Sequence, residues 1–166
     1  LVKFVIKNHS SYETVSSIKS GKIEVGFIAT PISIEPPLKA IQLMEFQDVL
    51  ATSKMNSLDD QIALSDLESY DFIGLCQPTT TYGFYHALFE KYHVNYKPSI
   101  EAQTTDQVKT MIQAGLGIGF IRNELLRDDF KIIQIKEDIP KRNVILVYDQ
   151  SRPQSVLVQK FIHTLS

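Results

Sequence analysis

Short apolar, β-branched segments alternate along this chain with stretches that open on a helix-capping pattern and close on glycine. Ser10 stands three positions before Glu13 and Gly21 follows residues 11–20, the pattern of a helix with a capping box at its start and a left-handed stop at its end. Thr104, Gln107 and Gly115 repeat it around residues 105–114. Strands are expected over residues 1–7, at Ile23, Val25, Phe27 and Ile28, and over residues 70–76, 98–102, 116–121, 131–136 and 143–148. Residues 64–67 suggest a short helix and residues 154–165 a final one. A further helix over 81–92 places Tyr82, Tyr85, His86, Leu88, Phe89 and Tyr92 on one apolar stripe. Such alternation predicts an α/β fold whose sheets are mostly parallel and covered by helices on both faces. One stretch departs from it. Residues 38–53 are too long for one strand in one sheet, and Glu45-Phe46-Gln47-Asp48 interrupts their apolar pattern, as in a strand that leaves one lobe and enters another.

The chain's 166 residues suit one compact domain or two small lobes, long enough to bury roughly two thirds of the unfolded surface. The formal net charge of -2 argues against a nucleic-acid surface, which needs a basic excess on one face. A lone cysteine, Cys76, excludes a disulfide framework and a multi-cysteine zinc site, and a reducing compartment is the simpler expectation. No apolar run reaches the roughly 18 residues of a membrane span, and the start has no secretory signal pattern. Because the chain begins at Leu1 without an initiator Met, a fragment with its N-terminal part elsewhere is expected.

Reaction chemistry finds little support. Gly115, Gly117 and Gly119 follow a helix and enter a strand, whereas a dinucleotide fingerprint needs its glycines between a strand and the next helix. Their simpler roles are a helix stop at Gly115 and close backbone approach at Gly117 and Gly119. His9, His86, His93 and His163 lack zinc-site spacing, and no nucleophile elbow, zincin motif or Walker loop occurs. The threonines are more informative. Thr79, Thr80 and Thr81 lie between a strand and a helix start, and Thr104 and Thr105 repeat the arrangement one strand later. One threonine at each start suffices as an N-cap. The surplus hydroxyls, with free amides and the helix dipole, are the groups that bind small anions at the strand ends of open α/β sheets.

Several segments, in order, give the chain a family likeness. Gly21-Lys22-Ile23-Glu24-Val25-Gly26-Phe27, Phe46-Gln47-Asp48-Val49-Leu50, Leu64-Ser65-Asp66-Leu67, Val108-Lys109-Thr110-Met111-Ile112-Gln113-Ala114-Gly115-Leu116-Gly117-Ile118-Gly119-Phe120 and Phe161-Ile162-His163-Thr164-Leu165 resemble the C-terminal effector-binding domain of LysR-type transcriptional regulators over nearly the whole chain. The run from Met111 to Phe120 is the most specific of these.

The resemblance implies a two-lobed fold like the type 2 periplasmic binding proteins, with two crossover strands and an effector in the cleft. Residues 1–48 and 123–166 would form the first lobe and 49–122 the second. It further implies a cytoplasmic, non-enzymatic sensor without cofactor or metal and without membrane contact, acting as a homodimer or homotetramer. DNA would be bound only through a winged helix-turn-helix missing from this chain. The first strand and helix of the effector domain are also expected to be missing. The effector-binding positions carried over are Thr30, Pro31, Gln77, Thr79, Thr80, Thr81, Gln103, Thr104, Thr105, Gly119 and Phe120. Arg122 departs from the family, which usually has proline after the glycine-rich strand; beside the hinge its side chain could reach the cleft, and facing solvent is the simpler expectation. With no Arg or Lys next to either threonine cluster, the effector's charge stays open. A transporter's solute-binding protein is the alternative on the same fold. An enzyme such as prephenate dehydratase is a weaker one, since Thr80-Thr81-Tyr82 lacks the arginine of that enzyme's Thr-Arg-Phe motif.

Overall fold

A computed structural model describes residues 3 and 5–165 of the chain. In order they form α1 (Ser11–Lys19), β1 (Val25–Ala29), β2 (Leu38–Phe46), β3 (Asp48–Ser53), β4 (Gln61–Ile62), a 3-10 helix (Leu64–Ser69), β5 (Phe72–Leu75), α2 (Thr80–Lys91), β6 (Ile100–Ala102), α3 (Thr105–Gln113), β7 (Ile118–Arg122), a 3-10 turn (Asn123–Leu125), β8 (Phe130–Ile135), β9 (Arg142–Asp149) and α4 (Val156–Leu165). The capping boxes form as the sequence predicts. Ser10 Oγ accepts from the Glu13 N–H and Glu13 Oε2 accepts from the Ser10 N–H, and Thr104 and Gln107 do the same on α3. Gly21 and Gly115 take positive φ, 73° and 77°, just past their helices, where a Cβ would be strained.

Two sheets divide the molecule. The smaller has the order β1-β9-β2, and the larger β4-β8-β3-β7-β5-β6. The expected α/β class with mixed sheets holds, but the balance is less parallel than the alternation suggests. Parallel pairing is confined to β4 with β8, β5 with β6 and β5 with β7, while the other pairs, including both in the smaller sheet, are antiparallel. The reason is insertion: β1 and β2 point the same way, and β9, arriving late in the chain, runs between them in the opposite direction. Of the strand expected over residues 1–7, residues 3 and 5–7 carry no strand pairing, and the rest lie outside the described residues.

The chain crosses between sheets at Gln47, between β2 and β3, as the interrupted pattern at 45–48 suggests. It returns over residues 136–141, between β8 and β9, rather than after β7. Because β8 pairs with β3 and β4, residues 130–135 belong with the larger sheet and not with the lobe expected over 123–166.

Period-two alternation explains how the larger sheet carries two cores. Leu50, Phe72, Ile118 and Phe120 face one way and meet Tyr85, Leu88 and Phe89 of α2. Their neighbours Ala51, Ile73 and Ile121 face the other way and meet Val108 and Ile112 of α3. His86 is exposed instead of joining the α2 stripe, because the buried face is the narrower i, i+3, i+4 set starting at Tyr85; the imidazole stacks on Tyr82 at a centroid distance of 5.8 Å. In the smaller sheet, Ile28, Leu38, Ile145 and Val147 pack under Ile18 of α1.

At the end of β9 the Asp149 carboxyl is held below its ordinary value, first by the Ser151 hydroxyl, which donates to Oδ1 at 2.6 Å, and further by Arg152. A lowered folded-state value means that the ionised carboxylate stabilises the fold above the unfolded value of about 3.9, and that this stability is lost as pH falls through the folded value. Urea unfolding should therefore separate the native chain from Asp149→Asn near neutral pH, and the gap should close as the pH is lowered below the ordinary carboxylate range.

Candidate functional site

The two sheets enclose a cleft of about 350 Å³. Three helices present their N-termini to it: α1 through Ser10 and Ser11, α2 through Thr79 to Thr81, and α3 through Thr104 to Asp106. Each cap occupies the N–H of its third helical residue, leaving the amides of the first two free of intrahelical partners. The strand ends of β1, β5 and β7 open on the same space, and Phe46, Phe72, Tyr85, Tyr96 and Phe120 supply its aromatic walls.

The threonines divide by what their hydroxyls do. Thr79 is the N-cap of α2: it accepts from the Tyr82 N–H at 3.0 Å and donates to the Cys76 carbonyl at 3.1 Å. Thr104 is the N-cap of α3. Thr80 donates to Ser11 Oγ at 3.3 Å, joining α2 to α1 across the cleft. Thr81 accepts from Arg142 Nη2 at 2.9 Å. The Thr105 hydroxyl has no hydrogen-bond partner among the described residues and lies on the cleft wall. So one threonine per helix start caps, and the surplus ones bridge the lobes or stay free.

Seven of the eleven expected positions lie together on the cleft wall: Thr79, Thr80, Thr81, Gln103, Thr104, Thr105 and Phe120. The other four lie off it. The Thr30 carbonyl accepts from Arg142 Nε at 2.7 Å and its hydroxyl accepts from the Asn143 N–H at 2.9 Å, so Thr30 holds the arginine rather than the space. Pro31 and Gln77 are exposed on their loops. Gly119 is buried within β7, where an added Cβ would stand 2.9 Å from the Ile73 carbonyl oxygen and 3.1 Å from Val108, so it serves helix-to-sheet packing.

Sequence reasoning missed the charged centre. Arg142 opens β9 and is buried with Asp48, which opens β3; Nη1 donates to Asp48 Oδ2 at 3.0 Å. Tyr85 donates its hydroxyl to the same oxygen at 2.7 Å. Burial, and after it the Asp48 charge, pushes the Tyr85 phenol well above its ordinary value, so the hydroxyl remains a donor throughout the working pH range. The Arg142 guanidinium also lies 4.7 Å from the Phe84 ring centroid and 5.3 Å from that of Phe46. Arg142 sits 61 residues from Thr81 and 94 from Asp48, separations at which no local pattern betrays a contact. Arg122 likewise lines the cleft instead of facing only solvent, with its guanidinium 5.5 Å from the Phe46 centroid.

Two lobes around a cleft lined by three helix N-termini define a small-molecule-binding domain. The chain belongs to the LysR substrate binding domain family, whose model matches residues 1–166. Among solved structures it is similar to the effector binding domain of QuiR in complex with shikimate, with a TM-score of 0.77 and 15% identity over 93% of this chain and 76% of that one. It is also similar to the regulatory domain of Synechocystis PCC6803 CcmR in complex with 2-PG, at a TM-score of 0.74 and 18% identity, over 92% of this chain and 76% of that one. CbnR, a LysR family transcriptional regulator, matches at 0.73 and 14% identity; 93% of this chain covers 55% of CbnR. The chain thus spans little more than half of that regulator's length. No curated protein matches the sequence. None of the described helices is long and apolar enough to cross a membrane.

Proposed function

We propose that this chain is the effector-sensing part of a cytoplasmic LysR-type transcriptional regulator and that its cleft takes a small anionic metabolite. The observation that carries this reading is the convergence of three helix N-termini on one 350 Å³ space. Their unpaired amides and aligned dipoles favour negative charge at a common point. The volume suits a metabolite of the size class of shikimate, the ligand named for the QuiR domain. An effector bridging the lobes would favour one interlobe angle over another, and in a dimer or tetramer that difference would reach a DNA-binding domain carried on the same polypeptide.

Isothermal titration of the chain with shikimate, with 2-PG and with other small carboxylates tests the reading. The free Thr105 hydroxyl is expected to contribute one hydrogen bond to the ligand, so Thr105→Ala should weaken binding about 3- to 10-fold. Unchanged affinity in Thr105→Ala removes that residue from the site. Failure of every carboxylate to bind the native chain removes the anionic effector.

A further inference from the structure

We propose that Arg122 is the residue that pairs with the effector's acidic group and so selects acids over their neutral counterparts; this rests on the effector-cleft reading above. The charges on the cleft wall are Arg122, Arg142, Asp48 and Asp106, with His9 as the remaining titratable imidazole. Arg142 and Asp48 cancel: they form a buried ion pair, and the three guanidinium nitrogens of Arg142 already donate to Asp48, Thr30 and Thr81. Asp106 is exposed in the first turn of α3, where the helix N-terminus offsets its charge. That leaves Arg122, which is half-buried and has neither an acidic partner nor a side-chain hydrogen bond among the described residues.

Its position is fixed although its charge is free. Arg122 ends β7 directly opposite Asp48 in the β3–β7 pairing, beside the crossing at Gln47, whose carbonyl accepts from the Asn123 N–H at 3.0 Å. The guanidinium rests on Phe46, itself buried. With its central carbon 5.5 Å from the Phe46 centroid and no hydrogen bond or ion pair among the described residues, the guanidinium keeps its N–H donors for an acceptor, the fork that matches a carboxylate or phosphate. A long side chain held against a buried ring also loses less freedom on binding than one moving in solvent.

The test is isothermal titration of the full chain, native and variant, with inorganic phosphate, acetate, succinate, citrate and glycerol phosphate, and with succinamide as a neutral control. The tightest-binding acid should lose at least about 10-fold in affinity in Arg122→Gln and recover part of it in Arg122→Lys, which restores charge without the fork. The salt dependence of binding should flatten in Arg122→Gln, a readout that a purely structural role would leave unmoved. If an acid binds native chain and Arg122→Gln equally while Thr105→Ala weakens it, the role of Arg122 is overturned and the effector cleft stands. If no acid binds the native chain, or if succinamide binds as well as succinate, the proposal is overturned, and in the first case the anionic-effector reading falls with it.

Discussion

Asp48→Ala is expected to lower the unfolding free energy by about 3–5 kcal/mol, because it leaves the Arg142 guanidinium buried without its counter-ion. The side chains of Arg142 and Asp48 are only 4% and 6% exposed, so water cannot replace the lost partner as it would at a surface pair. The substitution also removes the acceptor of the Tyr85 hydroxyl, buried in the same core. For a chain of this length the loss corresponds to a fall of roughly 6–20 °C in melting temperature. Removing both charges should cost much less: in Asp48→Ala/Arg142→Met, an apolar side chain replaces the unpaired guanidinium. Urea unfolding of the native chain, both single variants and the double variant measures the coupling as a thermodynamic cycle. A single-variant loss below about 1 kcal/mol would mean that the pair behaves like a solvated surface bridge.

Gly117→Ala is expected to cost about 3 kcal/mol, at the upper end of overpacking effects. A Cβ at Gly117 would fall 2.0 Å from the backbone oxygen of Asp71, which already accepts the Ile118 N–H at 3.0 Å. Backbone cannot swing aside as a flexible side chain can, so β7 would have to move away from the start of β5. The Gly117 carbonyl also accepts from the buried Thr52 hydroxyl at 3.2 Å, which ties β3 into the same displacement. Gly83, in the interior of α2, has no heavy atom within 4 Å of an added Cβ. Gly83→Ala is therefore the matched control, expected to be neutral or to stabilise by up to about 1 kcal/mol. Similar losses in the two variants would show that backbone approach at Gly117 is not the cause.

Much of this architecture was legible because its signals are local. A cap needs a hydroxyl and an acceptor three residues apart, and both Ser10 with Glu13 and Thr104 with Gln107 form the reciprocal bonds that spacing predicts. The break at residues 45–48 marked a crossing because a strand cannot keep its apolar face while changing sheets, and Phe46 and Asp48 do close one strand and open the next. The glycines of the run into β7 were readable as backbone approach because they precede no helix. Pairing partners were harder. β4 spans two residues, Gln61–Ile62, too short for any periodicity, and β8 carried no mark of which sheet it would join.

The cleft was half legible for the same reason. Threonine surplus at two helix starts is a local excess over what capping requires, and it located five wall positions, Thr79, Thr80, Thr81, Thr104 and Thr105; Gln103 and Phe120 came from the family resemblance. Arg142, Asp48 and Tyr85 gave no such signal. Arginine at a strand start and aspartate after a crossing are ordinary surface choices, and tyrosine on an apolar stripe reads as core packing.

By itself, the sequence determined the alternation of capped helices and apolar strands, the point of crossing between sheets, and the hydroxyl-rich helix starts, since each depends on residues within one or two turns of each other. Tertiary structure alone decided that β9 runs antiparallel between β1 and β2, that β8 joins the larger sheet, and that two arginines, both far in sequence from Phe46, meet its ring. Those outcomes rest on apolar burial and on charge desolvation across the whole fold, and neither depends on how far apart two residues lie along the chain.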